Sequence, residues 1–285
     1  MKFVKMHGCG NDYIYINGFQ YQPENKEELV IKLSERHFGI GSDGVIFINP
    51  SKIADFEMEM WNADGTRAEM CGNGIRCVAK YVYDYGLTDK EIFTIESFGK
   101  VKIINTKVED GKVVEVSVDM GAPILNATEV PVISDNENVK DELIVVDNKE
   151  YHMTCVSMGN PHAVVFLDDR FPIDNDIDNL DIEYIGPLFE HHERFPKRVN
   201  AEFVQIVDRK NVRMRVWERG TGETLCCGTG CCATAVACIL NGLTDDEITV
   251  SVIGGAVRIK WDKETGHVFM TGPAAVSYEG EVKGV

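Results

Sequence analysis

The chain has 285 residues, of which 44% are apolar, enough to fill a large core and to exclude disorder as its main character. Asp and Glu number 46 against 29 Lys and Arg, and the net charge of −17 repels phosphate backbones and anionic bilayers, so neither nucleic acid nor membrane is an expected partner. Nine cysteines without a recognisable export signal favour a reducing compartment, so we expect a cytoplasmic protein with free thiols.

The first predicted helix lies near Lys26–His37, where Asn25 and Glu28 have the spacing of a capping box. The segment Gly39–Gly44 matches the glycine pattern of a dinucleotide-binding turn. It follows a helical pattern and precedes a strand, which is the reverse of the order that such a turn requires. We therefore interpret it as an ordinary turn.

A second helix is predicted just after Cys71, because apolar residues recur with helical spacing from Ile75 to Val82. Gly86 stands where this helix can end. Farther along, alternation of apolar and polar residues predicts a strand. Its inward-facing residues are expected to be Val114, Val116, Val118 and Met120.

Two stretches, Glu129–Tyr151 and Asp168–Glu183, lack a periodic pattern and are expected to be surface excursions. Within the second stretch, Asp174–Asp178 imitates a calcium-binding loop. Asn179 replaces the glycine that this loop needs for its sharp turn. A solvated loop is the better interpretation.

The last strand and helix repeat the order of the earlier pair. Alternation predicts a strand over Val212–Trp217, and Cys231–Leu240 predicts a helix that is apolar on every side and hence buried. Trp217 lies ten residues before Cys227, as Trp61 lies ten before Cys71, and a shift of 156 residues relates the two pairs. The same shift carries Gly72 to Gly228, Gly74 to Gly230, and Gly86–Asp89 to Gly242–Asp245.

So many gap-free matches indicate an internal duplication. We therefore predict an α/β protein of the α+β type with two pseudo-symmetric lobes, each a curved mixed sheet or barrel around a central helix. The N-terminal lobe is expected to comprise residues 1–120 plus 272–285 and to carry Cys71. The C-terminal lobe is expected to comprise residues 121–271 and to carry Cys227.

The duplicated cysteines suggest a chemistry. A thiol at a helix N-terminus is expected to have a lowered pKa, and the glycines that follow expose backbone N–H groups able to bind a carboxylate. Inverting a stereocentre needs a base on one face of a carbon and an acid on the other, which a matched pair of thiols supplies. Cys226 competes with Cys227 for the second role, but it lacks the 156-residue offset. A metal site using Cys227 and Cys231, or a thiol-rich redox protein, is a separate alternative.

Specific segments spread almost end to end connect the chain to a known family: Met6–Asp12, Asn62–Gly65, Met70–Arg76, Ser157–His162, His192–Pro196, Glu218–Thr224 and Cys227–Gly230. Through them the chain resembles the diaminopimelate epimerases, which are pyridoxal-independent, two-cysteine enzymes of lysine and peptidoglycan precursor synthesis. The resemblance implies interconversion of LL- and meso-2,6-diaminopimelate, a small diamino diacid, with no cofactor and no metal. A racemase of another amino acid, such as histidine, is the alternative on the same scaffold, and a homodimer is left open.

The resemblance also implies roles for individual residues. Cys71 and Cys227 would be the acid/base pair, and Glu218 would receive the reacting ammonium. The reacting carboxylate would be held by Gly72, Asn73, Gly228 and Thr229. The distal amino-acid end would be anchored by Asn62, Asn160, Asn200 and Arg219, with Asn11 and His162 beside the thiols.

Some of these residues have other interpretations from the sequence itself. His162 begins an apolar strand and is as well explained by a structural role, while Glu218 and Arg219 could be an ordinary exposed ion pair. The chain departs from the family at Gly44, where some members carry Gln, and this puts one substrate contact in doubt.

Overall fold

The computed structural model describes residues 1–68 and 70–284, and it divides into two compact units. The first unit is built from Met1–Asp119 and the segment from Thr271 onward, and the second from Met120–Met270. Glu69 and Val285, which the predicted N-terminal lobe includes, lie outside the described residues. Among the described residues, no helix is both long and apolar enough to cross a bilayer.

Strands and helices are numbered along the chain. The first unit holds β1 (Lys2–Gly8), β2 (Asn11–Asn17), α1 (Lys26–Ser34), β3 (Gly44–Asn49), β4 (Phe56–Asn62), α2 (Gly72–Asp84), β5 (Ile92–Ser97), β6 (Lys100–Glu109), most of β7 (Lys112–Gly121), and the C-terminal β17 (Ala275–Glu281).

The second unit has the remaining elements. They are β8 (Glu142–Val146), β9 (Lys149–Ser157), β10 (Pro161–Phe166), a 3₁₀ turn (Ile177–Asn179), α3 (Ile182–Glu190), β11 (Asn200–Ile206), β12 (Asn211–Glu218), β13 (Gly222–Glu223), α4 (Gly228–Leu240), β14 (Glu247–Val252), β15 (Gly255–Trp261) and most of β16 (Val268–Gly272).

The two units pair their strands in the same pattern. In the first, β17, β1 and β2 are antiparallel, β2 and β3 parallel, β3 and β4 antiparallel, β4 and β5 parallel, and β5 and β6 antiparallel. In the second, β8, β9, β10, β11, β12, β14 and β15 repeat that alternation step by step. Each parallel pair is bridged by one helix, as a crossover requires. The predicted fold class and duplication are confirmed.

The two central helices are α2 and α4, and each packs against strands of its own unit. Helix α4 begins at Gly228, one turn earlier than the Cys231 start that periodicity indicates, because glycines and a threonine carry no apolar signal. Gly86 and Gly242 follow the two helices with φ +72° each, the left-handed conformation that ends a helix. Helix α1 ends at Ser34 rather than near His37, while Asn25 caps its start as predicted.

The interpretation of Glu129–Tyr151 and Asp168–Glu183 as surface excursions is wrong only where their apolar residues enter the core. The first stretch contains β8, whose Ile144 and Val146 are buried, and the second contributes Phe171 to the same core. Strand β8 forms a hairpin with β9 through a two-residue turn in which both residues have positive φ. Its sequence is too short to show a strand pattern, and pairing with β9 stabilises it.

The predicted inward face of β7 is wrong at its first position. Val113 is buried, whereas Val114 is 43% exposed. The register between β6 and β7 shifts at this point, since Lys107 pairs with Glu115 and Val108 with Val113. Val114 is the extra residue of a β-bulge, which shifts the alternation so that Val113 and Val116 are the buried residues on either side of the bulge.

This bulge predicts unequal effects of the same substitution at adjacent valines. Val113→Ala should lower the free energy of unfolding by about 2 kcal/mol, because it removes buried methyl groups, and Val114→Ala by less than about 0.5 kcal/mol. Urea unfolding followed by circular dichroism measures both. Equal losses would contradict the placement of the bulge.

Candidate active site

The predicted site residues fall into two groups, one in each unit. The first unit holds Asn11, Asn62, Cys71, Gly72 and Asn73, and the second holds Asn160, His162, Asn200, Glu218, Arg219, Cys227, Gly228 and Thr229. Each group includes the N-terminus of a central helix. We call Cys71–Gly74 the first helix mouth and Cys227–Gly230 the second helix mouth.

In the first helix mouth, Cys71 is the N-cap residue of α2. Its backbone is extended, and its Sγ accepts the Gly74 N–H at 3.3 Å. A Cβ on Gly74 would stand 2.8 Å from the Ile46 side chain, so glycine lets this turn lie against the sheet. No acidic residue stands in the first turn of α2, so its positive end is not neutralised by the helix itself.

The Cys71 thiol has a second partner, which is held in place from behind. Cys71 Sγ donates to Asn11 Oδ1 at 3.0 Å, and Asn11 Nδ2 donates to Asp43 Oδ2 at 2.7 Å. Arg36 Nη2 donates to the other oxygen of Asp43 at 2.9 Å and to Asp12 at 3.0 Å. Because Asp43 binds the amide nitrogen of Asn11, the amide oxygen is the atom that faces the sulfur.

Asn73 is fixed by a buried arginine. Arg76 is fully buried in α2, and its Nη2 donates to Asn73 Oδ1 at 2.9 Å while its Nη1 donates to Gly72 O at 3.1 Å. A Cβ on Gly8 would stand 3.0 Å from Arg76 Nη2. Arg76 was not predicted as a site residue; its signal in the sequence was a cation next to the apolar residues of a predicted helix.

Asn62 ends β4, opposite Gly44 on β3. Its Nδ2 donates to Thr66 Oγ1 at 3.0 Å. A Cβ on Gly44 would stand 2.0 Å from the Trp61 carbonyl oxygen, so a larger residue at position 44 would require the backbone to move. Gly44, at which the chain departs from the Gln of some family members, is therefore the residue that fits the backbone at this position.

In the second helix mouth, Cys227 repeats the geometry of Cys71. It is the N-cap residue of α4, its Sγ accepts the Gly230 N–H at 3.4 Å, and Thr229 Oγ1 lies 3.4 Å from the sulfur. The first turn of α4 also lacks an acidic residue. The repeat predicted from the sequence thus extends to the contact between sulfur and backbone.

The charges around Cys227 come from neighbouring strands. Burial raises the pKa of the Cys227 thiol well above its usual value, and the carboxylates of Glu218 and Glu202 raise it further. The contacts from Thr229 and Gly230 act in the opposite direction but are smaller. The expected lowering of the thiol pKa at the helix N-terminus is therefore wrong for Cys227, which is protonated at neutral pH.

Glu218 and Arg219 each have a hydrogen-bond partner elsewhere in the second unit. Glu218 Oε1 accepts from Thr224 Oγ1 at 2.5 Å. Arg219 Nη1 donates to the Lys197 carbonyl at 2.9 Å, and its backbone N–H donates to Asn200 Oδ1 at 2.9 Å. The exposed Arg219 side chain is thereby held at the end of β12, beside Asn200.

His162 lies on β10 and is fully buried. Its Nδ1 lies 2.6 Å from Glu202 Oε1, and its Nε2 lies 3.0 Å from Asn160 Oδ1. Glu202, on the adjacent strand β11, was missed because one acidic residue in an apolar strand is usually a solvent-facing position. Its carboxylate instead approaches the second helix mouth, where a Cβ on Gly230 would stand 2.7 Å from Oε1.

The remaining thiols, including those of Cys226 and Cys231, are buried and form no disulfide bond among the described residues. Within residues 1–68 and 70–284, no group of three or more histidine, cysteine, aspartate or glutamate side chains could hold a metal ion. The alternative metal site on Cys227 and Cys231 therefore has no third ligand in this part of the chain.

Comparison with known proteins identifies the family to which the chain is similar. A family model described as diaminopimelate epimerase matches residues 3–126 and 154–277. Curated relatives that bear the same name are 52% identical in Acetivibrio thermocellus, 54% in Agathobacter rectalis and 51% in Methanococcus maripaludis. Each alignment covers 99% of this chain and at least 98% of the relative.

Solved structures with lower identity share the fold. A hydroxyproline epimerase from Agrobacterium vitis with bound trans-4-hydroxy-L-proline has a TM-score of 0.67 at 14% identity, covering 99% of this chain and 90% of its own. A phenazine biosynthesis protein of the PhzF family from Bacillus anthracis has a TM-score of 0.69 at 17% identity, with 99% and 98% covered.

The electrostatics of the second helix mouth predict the effect of one substitution. Glu218→Gln removes a negative charge beside Cys227, so the pKa of its thiol should fall and its thiolate should be more abundant at pH 8. In a Cys226→Ala background, peptide mass spectrometry should therefore show faster alkylation of Cys227 by iodoacetamide. Glu247→Gln, a surface change in the same unit, is the control. An unchanged or slower rate in the Glu218 variant would contradict the assignment.

Proposed function

The chain belongs to the diaminopimelate epimerase family, and we propose that it interconverts LL- and meso-2,6-diaminopimelate by proton transfer between Cys71 and Cys227. The observation that carries this proposal is the repeated helix mouth, in which a thiol caps a central helix and contacts the third backbone N–H of that helix. In this family context the two units are proposed to be the two lobes that each supply one thiol.

The proposed chemistry begins with the acidity of the substrate. The proton on Cα is a weak acid, so the carbanion needs hydrogen-bond donors at the adjacent carboxylate. Backbone N–H groups at Gly72, Asn73, Gly228 and Thr229 are proposed to supply them. By analogy with oxyanion holes, each well-placed donor contributes about 3–4 kcal/mol. The first turns of both helices lack acidic residues, so the positive ends of the helix dipoles remain available to bind an anionic ligand.

The two thiols must differ in protonation when the reaction begins. Epimerisation requires one sulfur to accept the Cα proton while the other delivers a proton to the opposite face. The raised pKa of Cys227 suits it to the delivering role in one direction, and Cys71 then accepts. When the substrate has the other configuration, the roles are exchanged.

Substrate selection is assigned to polar groups around the mouths. Glu218, beside Cys227, is proposed to receive the reacting ammonium. Arg219 is proposed to bind the distal carboxylate, because a guanidinium can hold a carboxylate with two parallel hydrogen bonds. Asn62, Asn160 and Asn200 are proposed to complete the distal site, with Asn11 and His162 supporting the thiols.

The setting of the reaction is also proposed. Nine cysteines that form no disulfide bond among the described residues suit a reducing compartment, which supports the cytoplasm. The product would enter lysine and peptidoglycan precursor synthesis, no nucleic acid is expected to bind, and a homodimer is left open.

The test of reaction type and substrate is solvent exchange. The purified chain in deuterium oxide should label the α-position of diaminopimelate and convert the LL isomer to a mixture with meso, as followed by NMR and chiral chromatography. A panel with histidine, proline and glutamate should stay unlabelled. Labelling of one of these with none in diaminopimelate would replace the proposed substrate.

The assignment of the two thiols predicts a pattern of single substitutions. Cys71→Ala and Cys227→Ala should each lower kcat by about a thousandfold or more, because each removes one acid/base group. Cys226→Ala, the neighbouring thiol, should keep kcat within about threefold. A comparable loss at Cys226 would show that the second thiol is wrongly assigned.

A further inference from the structure

A buried histidine–glutamate pair lies under the second helix mouth. His162 and Glu202 are both fully buried, on the adjacent parallel strands β10 and β11, with Nδ1 and Oε1 2.6 Å apart. The other histidine nitrogen lies 3.0 Å from Asn160 Oδ1. The second carboxylate oxygen, Oε2, has no hydrogen-bond partner among the described residues.

The number of protons on this pair follows from its burial. With one proton on the histidine and an ionised Glu202, the pair would carry a net negative charge in a dry environment, with one carboxylate oxygen unpaired. Such a charge is strongly disfavoured, and Glu218 lies close enough to disfavour it further. A second proton makes the pair neutral, whether the shared proton resides on Nδ1 or on Oε1.

The two protons determine the role of each nitrogen. One proton lies between Nδ1 and Oε1, so the other must be on Nε2. An Nε2–H group donates, and it therefore faces the amide oxygen of Asn160, not its nitrogen. With its oxygen used in this way, Asn160 has its amide N–H groups to offer to an acceptor.

We propose that Glu202 is a positioning residue that acts through His162 to orient the amide of Asn160, so that Asn160 donates hydrogen bonds to a carboxylate of the substrate. This rests on the proposed function, because it takes Asn160 to be a substrate-binding residue. The Glu202 carboxylate lies close to Gly230, where a Cβ would stand 2.7 Å from Oε1.

Two substitutions of similar size separate the hydrogen bond from simple packing. Gln at position 202 can donate to Nδ1 while its oxygen takes the place of Oε2, so Nε2–H is kept. Met fills the space but cannot bind Nδ1. Glu202→Gln should keep kcat and KM within about threefold, whereas Glu202→Met should raise the KM for diaminopimelate about tenfold with a smaller change in kcat.

A double substitution tests the path through Asn160. If Glu202 acts through this amide, Glu202→Met should change KM by less than about twofold in an Asn160→Ala background. The same tenfold rise in both backgrounds, or a loss in Glu202→Gln as large as in Glu202→Met, would overturn the positioning role. Thermal unfolding of each variant shows whether the comparison is made on folded protein.

A spectroscopic measurement does not depend on activity or on the stability of a variant. The ring ¹⁵N resonances of labelled wild-type protein, with His162 assigned from the His162→Gln variant, should show a proton on Nε2. An unprotonated Nε2 would overturn the proposal even in an active epimerase. Conversely, a chain that fails to label diaminopimelate but shows a protonated Nε2 would refute the proposed substrate and leave the His162–Glu202 arrangement standing.

Discussion

The feature on which the rest depends is a sulfur atom used as a helix cap. N-cap positions usually carry Ser, Thr, Asp or Asn, whose oxygen accepts a backbone N–H of the first turn. Here Cys71 and Cys227 take that position, with N–H to sulfur distances of 3.3 and 3.4 Å. Each sulfur is therefore held in place in part by the backbone of the first helical turn. The glycines that follow let the chain approach closely enough for the same groups to serve a ligand.

The two units keep this backbone arrangement but surround it with different charges. Cys71 donates to the amide oxygen of Asn11, and the Asp43 carboxylate accepts from the amide nitrogen of the same side chain. Cys227 lies directly beside Glu218 and Glu202 and is more deeply buried. A duplication that preserved strand order, helix start and cap has thus placed two thiols in different polar surroundings.

The sequence could predict those parts of the structure that depend on residues close together in the chain or on the internal repeat. The 156-residue offset locates both caps, and the helices that follow them need only periodicity and a terminal glycine such as Gly86. The bulge at Val114 could not be predicted, since it is a property of the pairing between β6 and β7. Strand β8 was missed for a related reason: five residues carry too little pattern, and the strand exists because β9 pairs with it. The polar partners Asp43 and Glu202 reach their sites across strands, where spacing along the chain gives no signal.

The glycines at the third position of α2 and α4 show that residues equivalent in the sequence repeat can have different tertiary contacts. Gly74 and Gly230 are equivalent in the repeat, and both lie against the sulfur of their own cap. Beyond that contact their surroundings differ. A Cβ on Gly74 would meet the terminal methyl of Ile46, an apolar group that can rotate, whereas a Cβ on Gly230 would meet the carboxylate oxygen that binds His162. Glycine at the first position therefore serves packing against the sheet. At the second position, glycine also leaves room for the carboxylate of the buried His162–Glu202 pair. The equivalent glycines of the two units therefore serve different physical purposes.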